Sequence, residues 1–419
     1  MGMLVDTTPL RVSPDFRRLW LGQAVSFVGS QVTAAALPYQ VFHQTGSSLA
    51  VGLLGLAQLG PLLLFALVGG TWADSVDKRR LLLGVTAVAL VCSAALAVNA
   101  SLDHPRLWLL YVLGAVSSAT LAVSLPVLRS IPPLLFGSDL RPAAFALQAT
   151  YGSFGMMAGP AIGGALIAGL GITSAYAADV GTYAVALVAF RGISPSPPVE
   201  GAERASRSSL MRGLRFLRGS MVTSVLGVDL VAMVFGMPRA LFPALTVRLG
   251  GGPVLYGLLV SSVAAGAFLA SLMSGWTRRV SRQGTALLLA VTAWGGTIAV
   301  AGVTRDPLLV MAALAGAGAA DMISGVYRYS IVADATPDDL RGRVSGVELA
   351  VYAGGPVLGD VEAGVVGGLV GVPFAIVSGG LACIVAAALF GTLVPKLTRY
   401  ERSGVDLPSG AGGPDDHST

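Results

Sequence analysis

Charged residues are scarce in this sequence. Asp, Glu, Lys and Arg together make up 12% of the 419 residues, whereas 54% are hydrophobic. A mean hydropathy of +0.75 is far too high for a soluble globular protein. This composition predicts a polytopic membrane protein. We expect no nucleic acid as a partner, because the basic residues fall between apolar runs instead of forming one patch.

Cysteine and histidine are also rare, with 2 and 3 residues respectively. Cys92 and Cys383 lie inside apolar stretches, and the histidines are scattered without the spacing of metal ligands. We therefore expect no disulfide framework, no metal site and no cofactor. A membrane enzyme would need a converging catalytic or phosphate-binding arrangement, and a membrane sensor would need a sizeable soluble domain. The sequence offers neither, so we predict that the protein is not an enzyme.

Long apolar runs are what the sequence contains instead. About 20 apolar residues are needed to cross the hydrocarbon core as a helix. Twelve such segments can be placed, at 18–42, 50–73, 80–101, 107–132, 143–168, 173–191, 221–246, 254–276, 285–303, 307–332, 344–370 and 372–394. The predicted fold class is therefore an all-α membrane protein with twelve transmembrane helices.

The positions of the positive charges predict the orientation in the membrane. Lys and Arg are retained on the cytoplasmic side of short loops. If both termini are cytoplasmic, 23 of the 27 Lys and Arg residues lie at the inner side, Arg106, Arg248 and Arg305 lie outside, and Arg239 lies within the seventh helix. We therefore expect a multi-pass protein of the cell (inner or plasma) membrane, surrounded by lipid, with both termini in the cytoplasm.

A polar stretch separates the predicted helices into two sets of six. Residues 192–220 are rich in proline, arginine and serine, which is typical of a linker. The predicted division is a cytoplasmic N-terminus (1–17), an N-terminal six-helix bundle (18–191), the cytoplasmic linker (192–220), a C-terminal six-helix bundle (221–394) and a disordered cytoplasmic tail (395–419).

An internal repeat supports two related halves. The tripeptide Asp-Leu-Arg follows the predicted fourth helix at 139–141 and the predicted tenth helix at 339–341. The helices that come next each carry Gly-Pro, at 159–160 and at 355–356. Parallel repeats of this size relate the two halves of many transporters.

A charged cluster ends the second apolar run. Gly70 and Asp74 lie four residues apart, on one face of a helix, and Lys78 and Arg79 follow. Gly70 leaves room for a neighbouring helix, and the carboxylate of Asp74 can meet the positive end of another helix. Such a contact suits a gate that forms in one conformation and breaks in the next, although an ordinary charged membrane boundary is the alternative.

These four residues resemble the Gly-x-x-x-Asp-Arg-x-Gly-Arg-Lys signature of the major facilitator superfamily, between its second and third helices. Ser75 and Asp77 depart from the Arg and Gly of that signature. The resemblance implies two six-helix halves that transport small molecules by alternating access. It also implies a central cavity lined by the first, fourth, seventh and tenth helices.

The predicted fifth helix contains Gly155, Gly159 and Pro160. Proline removes a helix hydrogen bond and glycine permits tight crossings, so a kink can form there. This run is similar to the Gly-Pro element of proton-coupled exporters in the superfamily, with close packing of small residues as the alternative. The fourth helix lacks the mid-membrane arginine of many proton antiporters, because Arg129 lies near its inner end.

Three further stretches narrow the resemblance. Residues 16–20 with 36–38, residues 239–245 and residues 336–346 are similar to the enterobactin-exporter branch of the third drug-antiporter family. The resemblance implies export of a siderophore-like molecule, driven by the proton gradient. A multidrug or macrolide efflux antiporter of the same family is the alternative.

Ionisable residues inside the predicted spans are candidates for the transport site, because charge is costly there. By resemblance, the cavity-lining helices favour Asp229 and Arg239 in the seventh helix and Asp321 in the tenth. We predict that Asp321 carries the proton, because a carboxyl group can bind and release a proton as its surroundings change. The alternative is a fixed ion pair with Arg328, seven residues on and on the same helix face.

Four charged residues are assigned roles from their positions. Arg239 would suit an anionic or catechol-rich ligand through its planar donor group, or else it reaches the outer headgroups. Asp360 and Glu362 are two residues apart in the eleventh helix and point to different faces, so only one faces the cavity. We select Glu362. Asp179, in the peripheral sixth helix, is predicted to be structural.

The complete prediction is a monomeric exporter of a small molecule. Its gate and motif residues are Gly70, Asp74, Lys78, Arg79, Asp139, Arg141, Gly155, Gly159, Pro160, Asp339, Arg341 and Arg343. Its substrate or proton residues are Asp229, Arg239, Asp321, Arg328 and Glu362.

Overall fold

The computed structural model describes residues 6–195, 220–337 and 340–400, apart from the side chains at 67–71, 73–75, 342–343 and 349. Most of the predicted linker and most of the predicted tail therefore lie outside the described residues. The described start of the tail, predicted to be disordered, is helical at Pro395–Thr398.

Twelve long helical segments make up most of the described chain. They are α1 (Pro14–Thr45), α2 (Ser48–Ser75), α3 (Lys78–Ala100), α4 (Leu107–Leu135), α5 (Arg141–Leu170), α6 (Ile172–Arg191), α7 in two parts (α7a, Met221–Phe235, and α7b, Phe242–Arg248), α8 (Pro253–Leu272), α9 (Gln283–Val303), α10 (Pro307–Ala335), α11 (Arg341–Leu369) and α12 (Val372–Leu393). Eleven of them, all except α1, are apolar and long enough to cross a membrane. The described ranges contain no β-strand, and the predicted all-α membrane fold is confirmed.

The first helix begins before the apolar run that predicted it. Ser13 precedes α1, and its hydroxyl accepts a hydrogen bond from the backbone N–H of Phe16 at 3.2 Å. Pro14 then occupies the first helical position, where its missing N–H costs nothing. This polar cap starts the helix four residues before the predicted boundary at residue 18, although hydrophobicity alone does not extend that far.

The seventh helix is broken, whereas the sequence predicted one continuous segment at 221–246. α7a ends at Phe235, a 3₁₀ turn covers Arg239–Leu241, and α7b starts at Phe242. Pro238 lies in the gap and has no backbone N–H to continue the helix. The indole N–H of Trp294 on α9 donates to the carbonyl of Gly236 at 2.9 Å, which satisfies one of the released backbone groups.

The first six helices and the last six pack in the same pattern. In the first half, α1 contacts α5 and α6, α3 contacts α4 and α6, and α2 contacts α4. In the second half, α7a contacts α11 and α12, α9 contacts α10 and α12, and α8 contacts α10. The repeated Asp-Leu-Arg stretches occupy equivalent places as well, since α5 and α11 both begin at the arginine.

The two halves touch through α2 with α11 and through α5 with α8. A Cβ atom added at Gly52 of α2 would lie 3.0 Å from the Cα of Val361. A Cβ atom added at Gly164 of α5 would lie 3.1 Å from the Cα of Gly257 on α8. Small residues therefore let the backbones of the two halves approach directly.

These contacts lie at one end of the bundle. We call the end where α1 begins and α12 finishes the terminus face, and the end where α1 finishes and α2 begins the opposite face. Gly52 lies near the start of α2, and Gly364, whose added Cβ would be 2.9 Å from the Cα of Leu49, lies near the end of α11. The rings of Tyr39 and Tyr256 meet across the halves at a centroid distance of 5.3 Å. The halves are thus sealed at the opposite face.

We expect the substitution Gly318→Val to destabilise the second half. A Cβ atom at Gly318 of α10 would lie 2.7 Å from the carbonyl carbon of Val263 on α8. Overpacking of this kind costs about 1–3 kcal/mol. The measurement is the thermal midpoint of the purified protein in detergent, with Gly296→Val as the control, because an added Cβ there has no neighbour within 4 Å. Equal midpoints for the two variants would contradict the packing described.

Candidate functional site

An ion pair is buried inside the second half. The guanidinium of Arg328 on α10 donates from Nη1 to Oδ1 of Asp229 on α7a. Both side chains are less than a tenth exposed, and the guanidinium also lies over the ring of Tyr329, 5.3 Å from its centroid. The sequence alternative, in which Arg328 pairs with Asp321, is wrong. Arg328 instead ties α10 to α7a.

Asp321 lies beside this pair without joining it. With Asp229, Met233, Trp294 and Ser324 among its neighbours, it lines a small pocket between α7a, α9 and α10. Among the described residues, no hydrogen bond or ion pair holds its carboxyl group. A carboxyl group without a counter-charge is free to exchange a proton without first breaking a contact.

A second ion pair holds the break in α7. Nη2 of Arg239 donates to Oδ2 of Asp360 at 2.9 Å, and the backbone N–H of Ala240 donates to Oδ1 of the same carboxylate at 3.0 Å. The Asp360 side chain is 11% exposed, whereas that of Arg239 is 47% exposed. Asp360 thus satisfies the start of the 3₁₀ turn and neutralises one side of the guanidinium.

Asp360, and not Glu362, is the acidic residue of α11 that contacts Arg239; the predicted role of Glu362 in the cavity stays a prediction. Glu362 is half-buried two residues further along α11, and it makes no hydrogen bond with a described residue. Positions two apart on a helix point in different directions, which the sequence showed, but the spacing does not say which of them faces α7. The break in α7 brings Ala240 and Arg239 to Asp360. In the sequence, only Gly236 and Pro238 indicate this break.

Two exposed tyrosines extend this polar wall. Tyr329 on α10 and Tyr352 on α11 are 56% and 54% exposed. Tyr352 lies within electrostatic range of Asp321, Arg328, Tyr329 and Arg239. Side chains from α7, α10 and α11 therefore converge on one wall of the second half. Nothing in the sequence marked Tyr352, because no charged residue adjoins it in the chain.

Asp179 forms a third polar centre, inside the first half. Its side chain is 1% exposed, and Oδ2 accepts from the hydroxyls of Thr33 on α1 and Ser93 on α3, both at 2.7 Å. Oδ1 accepts from the hydroxyl of Thr182 at 3.3 Å. Three hydroxyl donors tie α1, α3 and α6 together. This arrangement agrees with the structural role predicted for Asp179.

The glycines of the fifth helix lie at its contact with α1. A Cβ atom added at Gly155 would lie 2.9 Å from Cε1 of Phe27, and one added at Gly159 would lie 3.1 Å from the carbonyl oxygen of Val28. The carbonyl of Pro160 faces Gly257 on α8, across the boundary between the halves. This element therefore joins close packing within the first half to the contact between halves.

The described gate residues lie at the terminus face. Lys78 is 2% exposed, and its Nζ has no hydrogen-bond partner among the described residues. Nη2 of Arg79 donates to the carbonyl of Arg191 at the end of α6, at 2.6 Å. Nε of Arg141 donates to the carbonyl of Phe136 just after α4, at 2.9 Å, while Asp139 accepts from Ser138. Arg79 and Arg141 thus bind helix ends within the first half.

The remaining gate residues are only partly covered by the structure. Arg341 is the first residue of α11. The surroundings of Gly70, the side chains of Asp74 and Arg343, and the whole of Asp339 lie outside the described residues. Their predicted roles stay predictions.

Comparison with known proteins finds matches over nearly the whole chain. A family model described as "Transmembrane secretion effector" matches residues 6–406. The enterobactin exporter EntS of Citrobacter koseri is 26% identical over 413 residues, which is 97% of this chain and 98% of that protein. EntS of Escherichia coli is 25% identical over 404 residues, which is 96% of each chain.

Solved structures share the fold. The nucleoside transporter NupG has a TM-score of 0.73 at 12% identity, covering 90% of this chain and 99% of that one. A bacterial homologue of the human lysosomal transporter Spinster, solved in an inward-facing and unoccupied conformation, has a TM-score of 0.69 at 16% identity. It covers 95% of this chain and 100% of that one.

We expect Asp229→Asn to destabilise the protein much more than Asp321→Asn. The first substitution leaves Arg328 buried without its counter-charge, a change that costs about 3–5 kcal/mol when one partner of a buried pair is lost. The second removes a charge that has no described partner. Thermal midpoints in detergent test this, with Asp229→Asn/Arg328→Gln expected to recover part of the loss. Equal midpoints for the two single variants would contradict the pairing.

Proposed function

The chain belongs to the transmembrane secretion effector family, and on that basis we propose that it exports a siderophore-like molecule by proton-coupled alternating access. The coarser function is established: it is a membrane transporter of the major facilitator fold that exports small molecules, and it is not an enzyme. The substrate class, the proton coupling and the alternation are the parts that we propose.

The substrate class is supported most by the wall of the second half. Arg239 is nearly half exposed, and the two exposed tyrosines, Tyr329 and Tyr352, lie on the same wall. A guanidinium binds anionic oxygens through its planar donors, and aromatic rings stack on planar ligands. An anionic, aromatic siderophore offers both features. The curated relatives, named as enterobactin exporters, point to the same class.

Asp321 is our proposed proton carrier. It lies in the pocket beside the Asp229–Arg328 pair and has no described partner of its own. Binding of a proton at Asp321 would change the charge that faces this pair, so protonation and the α7a–α10 contact are linked. The proton gradient would supply the energy, and the mechanism needs no cofactor.

The proposed orientation makes the terminus face cytoplasmic. Lys78, Arg79, Arg141 and Arg341 lie at that face, as the retention of positive charge in the cytoplasm requires. The seal between α2 and α11 then closes the outer side of the inner membrane. With the outer side closed, substrate would enter the space between the halves from the cytoplasm, as export requires.

Expression of the chain in an Escherichia coli strain without its own enterobactin exporter tests the substrate class. We expect secretion of enterobactin into the medium to be restored, because the wall described above suits an anionic aromatic molecule. The measurement is siderophore in the culture supernatant, combined with a growth panel of unrelated drugs. Resistance to several drugs without siderophore secretion would contradict the proposal and favour a multidrug or macrolide exporter.

The substitution Asp321→Asn tests the proton carrier. We expect it to abolish pH-dependent efflux from vesicles, because an amide cannot carry the proton, while the amount of protein in the membrane stays unchanged. Asp306→Asn is the control, since the side chain of Asp306 caps the start of α10, where it accepts from the N–H of Leu308. Unchanged pH-dependent efflux in Asp321→Asn would remove Asp321 from the mechanism.

A further inference from the structure

We propose that Asp360 is the element through which bound substrate releases the seal at the opposite face. An anionic group of the substrate binds Arg239, competes with Asp360 for the guanidinium, and loosens the contact between α11 and α2. This inference rests on the proposed export function and adds the step that links binding to opening.

Asp360 joins three structural features through one residue. Its Oδ2 accepts from Arg239, and its Oδ1 accepts from the N–H of Ala240 at the start of the 3₁₀ turn. Its backbone lies against Gly52 of α2, where an added Cβ would be 3.0 Å from the Asp360 carbonyl carbon. A Cβ added at Gly55, one turn further along α2, would lie 3.8 Å from Oδ2. The carboxylate that holds Arg239 therefore lies in the contact between the halves.

Arg239 keeps part of its guanidinium free for a ligand. Only Nη2 donates to a described residue, and the side chain is 47% exposed although it belongs to a central helix. An anion from the space between the halves can therefore reach Nη1 or Nε before the bond to Asp360 breaks. Two anions on one guanidinium repel each other, and the repulsion is stronger away from water. Substrate binding thus weakens the hold of Arg239 on Asp360.

The break in α7 allows this weakening to become movement. Between Phe235 and Phe242 the backbone is fixed by Trp294 at Gly236 and by Asp360 at Ala240, in place of a continuous helix. A segment held by a few specific contacts shifts more easily than a regular helix. Loss of one contact frees the 3₁₀ turn to move.

The seal lies within reach of such a movement. Tyr256 is buried on α8, lies within electrostatic range of both Asp360 and Arg239, and meets the ring of Tyr39 on α1. In the contact between α2 and α11, Ser48 is 8% exposed, and its carbonyl lies close to Gly364 of α11. Opening of the α2–α11 contact would therefore expose Ser48.

The substitution Asp360→Asn distinguishes a role of Asp360 in keeping the seal closed from a role that only caps the 3₁₀ turn. Asparagine retains an acceptor for the N–H of Ala240, so the start of the 3₁₀ turn stays satisfied, but it lacks the charge that holds Arg239. If Asp360 only caps the turn, Asn leaves the seal closed. If the pair with Arg239 keeps the seal closed, Asn opens it.

The experiment measures how fast Ser48→Cys reacts with a membrane-impermeant maleimide from outside spheroplasts, in a background with Cys92 and Cys383 replaced by alanine. We expect Asp360→Asn to raise the labelling rate about threefold or more, as a shift of the closed population requires. In the parent, the anionic catechol 2,3-dihydroxybenzoate, loaded into the cytoplasm before labelling, should raise the rate as well. In Arg239→Gln it should have no effect, because the anion has lost its cation.

The control is Asp306→Asn, which makes the same chemical change at the same end of the bundle but outside the seal. It should label at the parent rate. Equal rates for Asp360→Asn and the parent, or acceleration by 2,3-dihydroxybenzoate in Arg239→Gln, would overturn the proposal. If Asp360→Asn does not reach the membrane, Arg239→Gln provides the test instead. This variant also breaks the pair between Arg239 and Asp360, so its Ser48→Cys should label faster than in the parent without 2,3-dihydroxybenzoate.

The labelling experiment and the enterobactin secretion test can fail independently of each other. If enterobactin secretion is not restored while Asp360→Asn opens the seal, the substrate class fails and the release element stands. If secretion is restored while labelling is unchanged by Asp360→Asn, the export function stands and the release element fails.

Discussion

The carboxylate of Asp360 supports a helix that is broken inside the membrane. Lipid offers no hydrogen bonds, so each backbone group released by the break must find a partner in the protein. Asp360 and Trp294 supply partners at either side of the gap, and Asp360 also neutralises Arg239. Without them the break would be too costly to keep. With them, α7 can present a half-exposed cation to the space between the halves.

The contact between the two halves depends on glycines that let helix backbones approach closely. Gly52 and Gly164 bring α2 onto α11 and α5 onto α8, and both contacts lie towards the opposite face. Because the two halves share one packing pattern, each contributes an equivalent helix to this boundary. Each half also has its own buried polar contacts. Asp179 ties the first half together, the Asp229–Arg328 pair ties the second, and Asp321 remains without a described partner.

Hydrophobic length and charge spacing were enough to predict the helices, because a spanning helix must be apolar for about 20 residues and lose that character at the surface. They did not predict the break in α7, whose apolar run continues through Pro238, or the early start of α1, which depends on the cap at Ser13. The site was predicted only in part. Asp229, Arg239, Asp321 and Arg328 stood out because charge is costly in lipid. Their pairing did not, because helix spacing relates residues along one helix, whereas Arg328 and Arg239 find their partners on neighbouring helices.

We propose that the two halves exchange a seal at the opposite face for one at the terminus face. Pulsed electron paramagnetic resonance on spin-label pairs in liposomes tests it most directly, with one pair at the exposed positions 103 and 305 on the opposite face and the other at 138 and 281 on the terminus face. When 2,3-dihydroxybenzoate is added, we expect the first distance to lengthen while the second shortens. Distances that stay fixed, or that change in the same direction, would contradict it.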